Sequence, residues 1–97
     1  MLFVIHAIDK PGDGSARLAN REAHLAFAGE HAQTIRLGGP LLSDDGQSMV
    51  GSMLVIEADD MAAAKAWAAK DPYAVNGVFE RVDIHPYRTV LGTAKIA

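Results

Sequence analysis

The apolar positions of this 97-residue chain fall into blocks with two different periods. Residues 2–8, LFVIHAI, alternate loosely, with Phe3, Ile5 and Ala7 on one side and Leu2, Val4, His6 and Ile8 on the other. Both sides are largely apolar, which predicts a central strand. DKPGDG, residues 9–14, is a turn cluster. From Ser15 to Arg36 the period lengthens. Leu18, Leu25, Ala28, Ala32 and Ile35 recur at spacings of three, four or seven, which predicts one long helix. Gly38 and Gly39 would end it, and Pro40 would block its resumption.

The stretch LLSDDGQSMVGSMLVIEA predicts two strands around a turn at Asp44, Asp45 and Gly46, an Asp-Gly hairpin signal. Asp59 or Asp60 then caps a second helix, MAAAKAWAAK, with Met61, Ala64, Trp67 and Ala68 as its buried stripe. DPY ends that helix. VFERVDIHPY alternates again and predicts a last strand closed by Pro86, followed by a short tail that is mobile or used between subunits. The order β-α-β-β-α-β is the ferredoxin-like split βαβ arrangement, an α+β fold with both helices on one sheet face. In so small a domain a second copy is the natural cover for the other face, so a homodimer is expected.

Composition narrows the partners. The length suits a single domain over residues 1–97. Hydrophobic residues make up 49% and charged ones 22%, too apolar for disorder. A formal charge of −3 opposes a partner dominated by phosphate backbone, so no nucleic acid is expected. There is no cysteine, which excludes disulfides, thiolate metal sites and a cysteine nucleophile and fits a reducing cytoplasm. The apolar start has no basic leader region and is cut short by His6 and Asp9. It reads as a strand rather than a signal peptide or membrane span, giving a soluble, cytoplasmic expectation.

Candidate chemistry begins with four histidines. His24 and His31 lie seven positions apart on the first helix, too far to share a zinc ion, which favours an i, i+4 pair. His6 and His85 have no ligand spacing, so no metal and no cofactor are expected. His31 and His85 read as solvated or capping residues, and His6 as a core-edge histidine with a satisfied ring. His24 differs in its company. Arg17, Arg21 and His24 occupy a narrow helical sector at spacings of four and three. That sector is either a solvated face, with Arg21 paired to Glu22 or a distant acid, or the polar wall of a cleft at the sheet edge. Ser43, Ser48 and Ser52 lack the context of an activated nucleophile. Asp71 also admits two readings. It can close an Asx-turn at the helix exit, or, pushed to an extended backbone by the proline that follows, turn its carboxylate toward a partner elsewhere.

MLFVIHAIDK, RLANREAHL, GGPLLSDDG, AKAWAAKDPY and GVFERVDIHPYRTV together resemble the YciI-like (YCII-related) family of small bacterial proteins over nearly the whole chain. The last two stretches are the most specific, because helix, DPY, glycine and a strand ending in x-Pro-aromatic rarely coincide. The resemblance implies ferredoxin-like domains that pair into a dimeric α+β barrel. It also implies a histidine–aspartate centre, which falls on His24 of the AHL stretch and Asp71 of DPY. One branch of the family resembles a dehydrochlorinase of chlorinated hydroxyquinone breakdown. Two departures bear on the pocket wall: Glu22 stands where some relatives have proline, and His6 where an aromatic is common.

With both helices on one sheet face, residues at their ends can converge. A carboxylate accepting from one imidazole nitrogen fixes the tautomer and leaves the other nitrogen to exchange a proton. The expectation is a small enzyme doing isomerisation, elimination or lyase-type acid–base chemistry on a small anionic or hydroxylated substrate, aromatic ones included. His24 is the proton shuttle, Asp71 its orienter, and Arg21 a clamp for a carboxylate, enolate or phenolate. Tyr73 either lines the pocket or simply packs, and Asp9 is a further substrate contact within its turn context. The rival expectation is a regulatory or binding dimer whose cleft holds a small anionic ligand without reaction. RNA binding is opposed by the acidic balance and the missing aromatic strand patterns.

Overall fold

The computed structural model describes residues 1–95. Its elements are β1 (Leu2–Asp9), α1 (Ser15–Glu30), β2 (Ile35–Leu42), β3 (Met49–Glu57), α2 (Met61–Ala68), α3 (Pro72–Val75) and β4 (Phe79–Tyr87). The four strands form one antiparallel sheet of order β2-β3-β1-β4, so β1 is central, as its two apolar sides predict. With α3 as a short addition, this is the ferredoxin-like α+β arrangement.

The core lies between the sheet and α2. Phe3 and Ile5 of β1 and Leu54 and Ile56 of β3 pack against Ala64 and Ala68, with Met61 and Trp67 at the margin. Alanine at the contact positions lets the helix approach the sheet closely, and burying Phe3 and Ile56 fully contributes about 1.5–3 kcal/mol each. Asp60 begins α2, its side chain accepting from the Ala63 amide at 2.8 Å. The Asp-Gly hairpin forms as predicted, with Gly46 at a φ of 74°.

The first helix is shorter than its periodicity predicts. It ends at Glu30 with His31 as C-cap, and Ile35 belongs to β2 rather than to the helix. Ile35 pairs with Ile56 and packs against the core, and the Glu57 amide donates to the Thr34 carbonyl at 2.9 Å. Strand pairing thus outcompetes a helix whose outer positions bury little. Leu18 and Leu25, expected on a buried stripe, are exposed, and the one buried side chain of α1 is Arg17. Gly38 is no helix stop. A Cβ there would lie 2.3 Å from Leu54 Cδ2, so glycine lets β2 lie against β3 at this point. Pro40 is tolerated because β2 is an edge strand.

The face away from the helices carries Val4, His6, Met53, Val55, Leu37 and His85 in register. His6 is exposed there, opposite Met53 and Asp83, not at a core edge. The reason is strand alternation: Ile5 and Ala7 take the core side and leave His6 on the open one. His31 is half-buried at the end of α1, against Phe27 and Trp67. Among the described residues no helix is long and apolar enough to cross a membrane.

Candidate functional site

Helix α1 packs chiefly on α3 and stands off the sheet. The space beneath it is a cleft of about 330 Å³ between α1 and the β2–β3 edge. Gly38, Gly39 and Ser52 keep its floor open, Leu25, Met49 and Leu54 supply apolar wall, and Arg17, Arg21, His24 and Tyr73 are its larger polar members. The three helical residues share one face because they are four and three positions apart.

Asp71 satisfies both of its sequence readings at once. Its backbone is extended at φ −58° and ψ 127°, as the following proline requires, and it is the N-cap of α3. Asp71 Oδ1 accepts from the Tyr73 amide at 2.9 Å and lies 2.8 Å from His24 Nδ1. A carboxylate can only accept, so Nδ1 carries the hydrogen of this contact and Nε2 is the imidazole nitrogen that Asp71 does not engage. Asp71 is buried and His24 half-buried on the cleft wall, so the carboxylate sits behind the imidazole.

Arg17 is held by a second carboxylate. Its Nε donates to Asp9 Oδ2 at 2.7 Å, and its Nη2 donates to Asp9 Oδ1 at 2.8 Å and to Ser52 Oγ at 2.9 Å. This two-pronged pair fixes the guanidinium while leaving it only 6% exposed. Hydrogen bonding to Asp9 raises the pKa of Arg17 further, more than burial lowers it.

Tyr73 stands between the two. His24 stacks on its ring at 4.1 Å and 11°, and the Arg17 guanidinium carbon lies 4.5 Å from the ring centroid. The residues that make these two contacts stand seven positions, or about 10.5 Å of helix, apart on α1. The guanidinium contact is a cation–π interaction, and the stack limits rotation of the imidazole. Burial pushes the Tyr73 phenol above its ordinary 10.0, with Arg17 pulling partly the other way.

The raised phenol pKa has a testable sign. The folded state keeps that proton to higher pH than the unfolded chain, so its contribution is complete below about pH 10 and is lost as pH rises beyond it. From pH 9.5 to 11 the parent should lose more stability in urea titrations than Tyr73→Phe, by up to about 1.4 kcal/mol per pH unit. Equal losses would contradict the assignment.

The structure therefore brings His24 and Asp71 together and places Arg21 and Tyr73 on the same cleft. Arg21 makes no ion pair or side-chain hydrogen bond among the described residues, Glu22 included. Asp9 is not a lining residue and has both oxygens on Arg17. Sequence reasoning missed the central part of Arg17 and Ser52. Arg17 showed its alignment with Arg21 and His24, but its counter-ion lies across the Asp9–Gly14 turn and its hydroxyl partner on β3.

Comparisons with known proteins agree with this architecture. Protein YciI of Escherichia coli is 37% identical over 93% of this chain and 99% of its own length. An uncharacterised protein of Haemophilus influenzae is 36% identical over the same shares. Among solved structures, the 5-chloro-2-hydroxyhydroquinone dehydrochlorinase of Burkholderia phenoliruptrix, in complex with 2,5-dihydroxybenzoquinone, superposes with a TM-score of 0.82. It is 32% identical, over 91% of this chain and 94% of that one. The model of the YCII-related domain matches residues 1–88, and the chain belongs to that family.

Proposed function

We propose that this chain is a small enzyme that moves a proton on a hydroxylated or otherwise anionic ring substrate, with His24 as the acid–base group. The observation that carries the reading is the 2.8 Å contact between His24 Nδ1 and a buried Asp71, with His24 on the wall of a cleft that also holds Arg21, which has no ion-pair partner among the described residues. In this reading Arg21 meets the substrate's phenolate, enolate or carboxylate oxygen. His24 Nε2 takes a proton from the bound ring, the freed electron pair forms a new double bond, and a leaving group departs with its own pair. Asp71 holds the imidazole in the productive tautomer and supports the imidazolium once formed. Tyr73 keeps the ring plane of His24 in place. The likeness to a dehydrochlorinase acting on a hydroxyhydroquinone supports an elimination of this kind.

The test is a panel of hydroxylated, halogenated and carboxylated ring compounds, beginning with 5-chloro-2-hydroxyhydroquinone, monitored for halide release and product. Conversion that disappears in His24→Ala supports the enzyme. Tight binding without conversion of any member would favour a non-catalytic ligand-binding or regulatory dimer instead.

The same proposal includes a homodimer formed through the open sheet face, where Val4, Leu37, Met53 and Val55 lie together, working in the cytoplasm. Sedimentation at micromolar concentration should give a dimer, and Val4→Glu with Leu37→Glu should give a folded monomer. A monomeric parent would remove the dimer while leaving the cleft chemistry in place.

A further inference from the structure

The cleft does not end at Arg21. Past Arg17, Arg21 and Met49, all three of which line both spaces, it opens into an adjoining recess of about 570 Å³. This recess runs between the Gly12–Gly14 turn and first turn of α1 on one side and the 47–50 end of the hairpin on the other. Each space falls within the range of about 300–1,000 Å³ typical of small-molecule sites. One ring in the first would leave the second open.

The walls of the recess are unusual for solvent. Leu18 is 73% exposed, Met49 45% and Val50 38%, and all three line it. Single exposed apolar side chains need no explanation, but these come from two elements and meet in one place. Charge then restricts what fits. Arg17 is already neutralised by Asp9, so Arg21 is the cationic side chain on these walls without a carboxylate partner among the described residues. The far end carries the carboxylate of Asp13, which disfavours a second negative charge there.

We propose that the site takes a two-part ligand: a monoanionic ring at Arg21 and His24, and an uncharged apolar arm lying over Leu18, Met49 and Val50. This rests on reading the cleft as the substrate site and adds the class of substrate: a singly charged, arm-bearing ring compound. Polyanions such as nucleotides are disfavoured, because one unpaired arginine cannot offset several charges in a partly desolvated cleft.

The test uses benzoate, 4-butylbenzoate and 4-hexylbenzoate, with affinities from calorimetry on the full chain. Each buried methylene should tighten binding by about two- to fourfold, making the hexyl compound at least about thirtyfold tighter than benzoate. The double variant Leu18→Gln, Val50→Thr changes exposed positions. It should reduce that advantage to about fivefold or less while leaving benzoate within about twofold of the parent. Affinity independent of arm length, or an advantage that survives in the double variant, would overturn the proposal. If benzoate binding is flat in arm length yet lost in Arg21→Ala, only the apolar arm falls and the proposed site stands. If no member binds, both fall. A double variant that shifts sedimentation from dimer to monomer would assign these side chains to a second copy and overturn the arm as well.

Discussion

Replacing Asp71 by Asn is expected to lower turnover of the ring substrate by about 100- to 10,000-fold while leaving the fold intact. The fold should survive because asparagine caps a helix about as well as aspartate, so the Tyr73 amide keeps its acceptor. What changes is the contact with His24. A carboxylate can only accept from Nδ1, whereas a carboxamide can also donate to it and so stabilise the opposite tautomer. It also removes the negative charge that supports an imidazolium. His24→Ala should cost a similar factor, and combining the two should cost little more, because they act as one unit. Substrate affinity should change far less than turnover, since Arg21 is untouched. Normal turnover in both variants would place the chemistry elsewhere.

Removing the half-buried acid that holds Arg17 should damage the protein itself. Asp9→Ala leaves the Arg17 guanidinium, 6% exposed, without its counter-ion, and breaking a buried pair in this way costs about 3–5 kcal/mol. Set against a total of about 5–15 kcal/mol for a small domain, that loss should be plain in urea titration. The charge argument is separable from lost packing. Asp9→Ala combined with Arg17→Met removes both charges, and should be more stable than Asp9→Ala alone because no ion is left buried and unpaired. A loss below about 1 kcal/mol in the single variant would place the pair in the surface class. Activity should fall too, since Arg17 packs on the same Tyr73 ring that His24 stacks against.

What could be read in advance follows the range of the interactions. The central strand, the Asp-Gly hairpin, the α2 stripe and the alternation of β4 depend on neighbours within a few positions, and all appear in the structure. The end of α1 does not. Apolar recurrence continues to Ile35, but that residue is claimed by Ile56, twenty-one positions away, and Gly38 answers to Leu54 rather than to the helix before it. Nothing local marks Arg17 as the buried arginine and Arg21 as the exposed one. Asp9 and Ser52 make that difference, through a turn and a strand pairing. For His24 and Asp71, the residues alone left turn chemistry and partnership open, and the family resemblance chose the pair. The geometry shows that one oxygen does both.

In the proposed mechanism His24 exchanges a proton with a ring held in the cleft. That exchange can be followed by proton nuclear magnetic resonance in deuterated buffer, using the hydroxylated and halogenated ring compounds with the parent and with Asp71→Asn. The parent should incorporate solvent deuterium into, or form product from, at least one compound, and Asp71→Asn should do so at least about 100-fold more slowly. A parent that binds these compounds tightly and returns every one unexchanged and unconverted would contradict it.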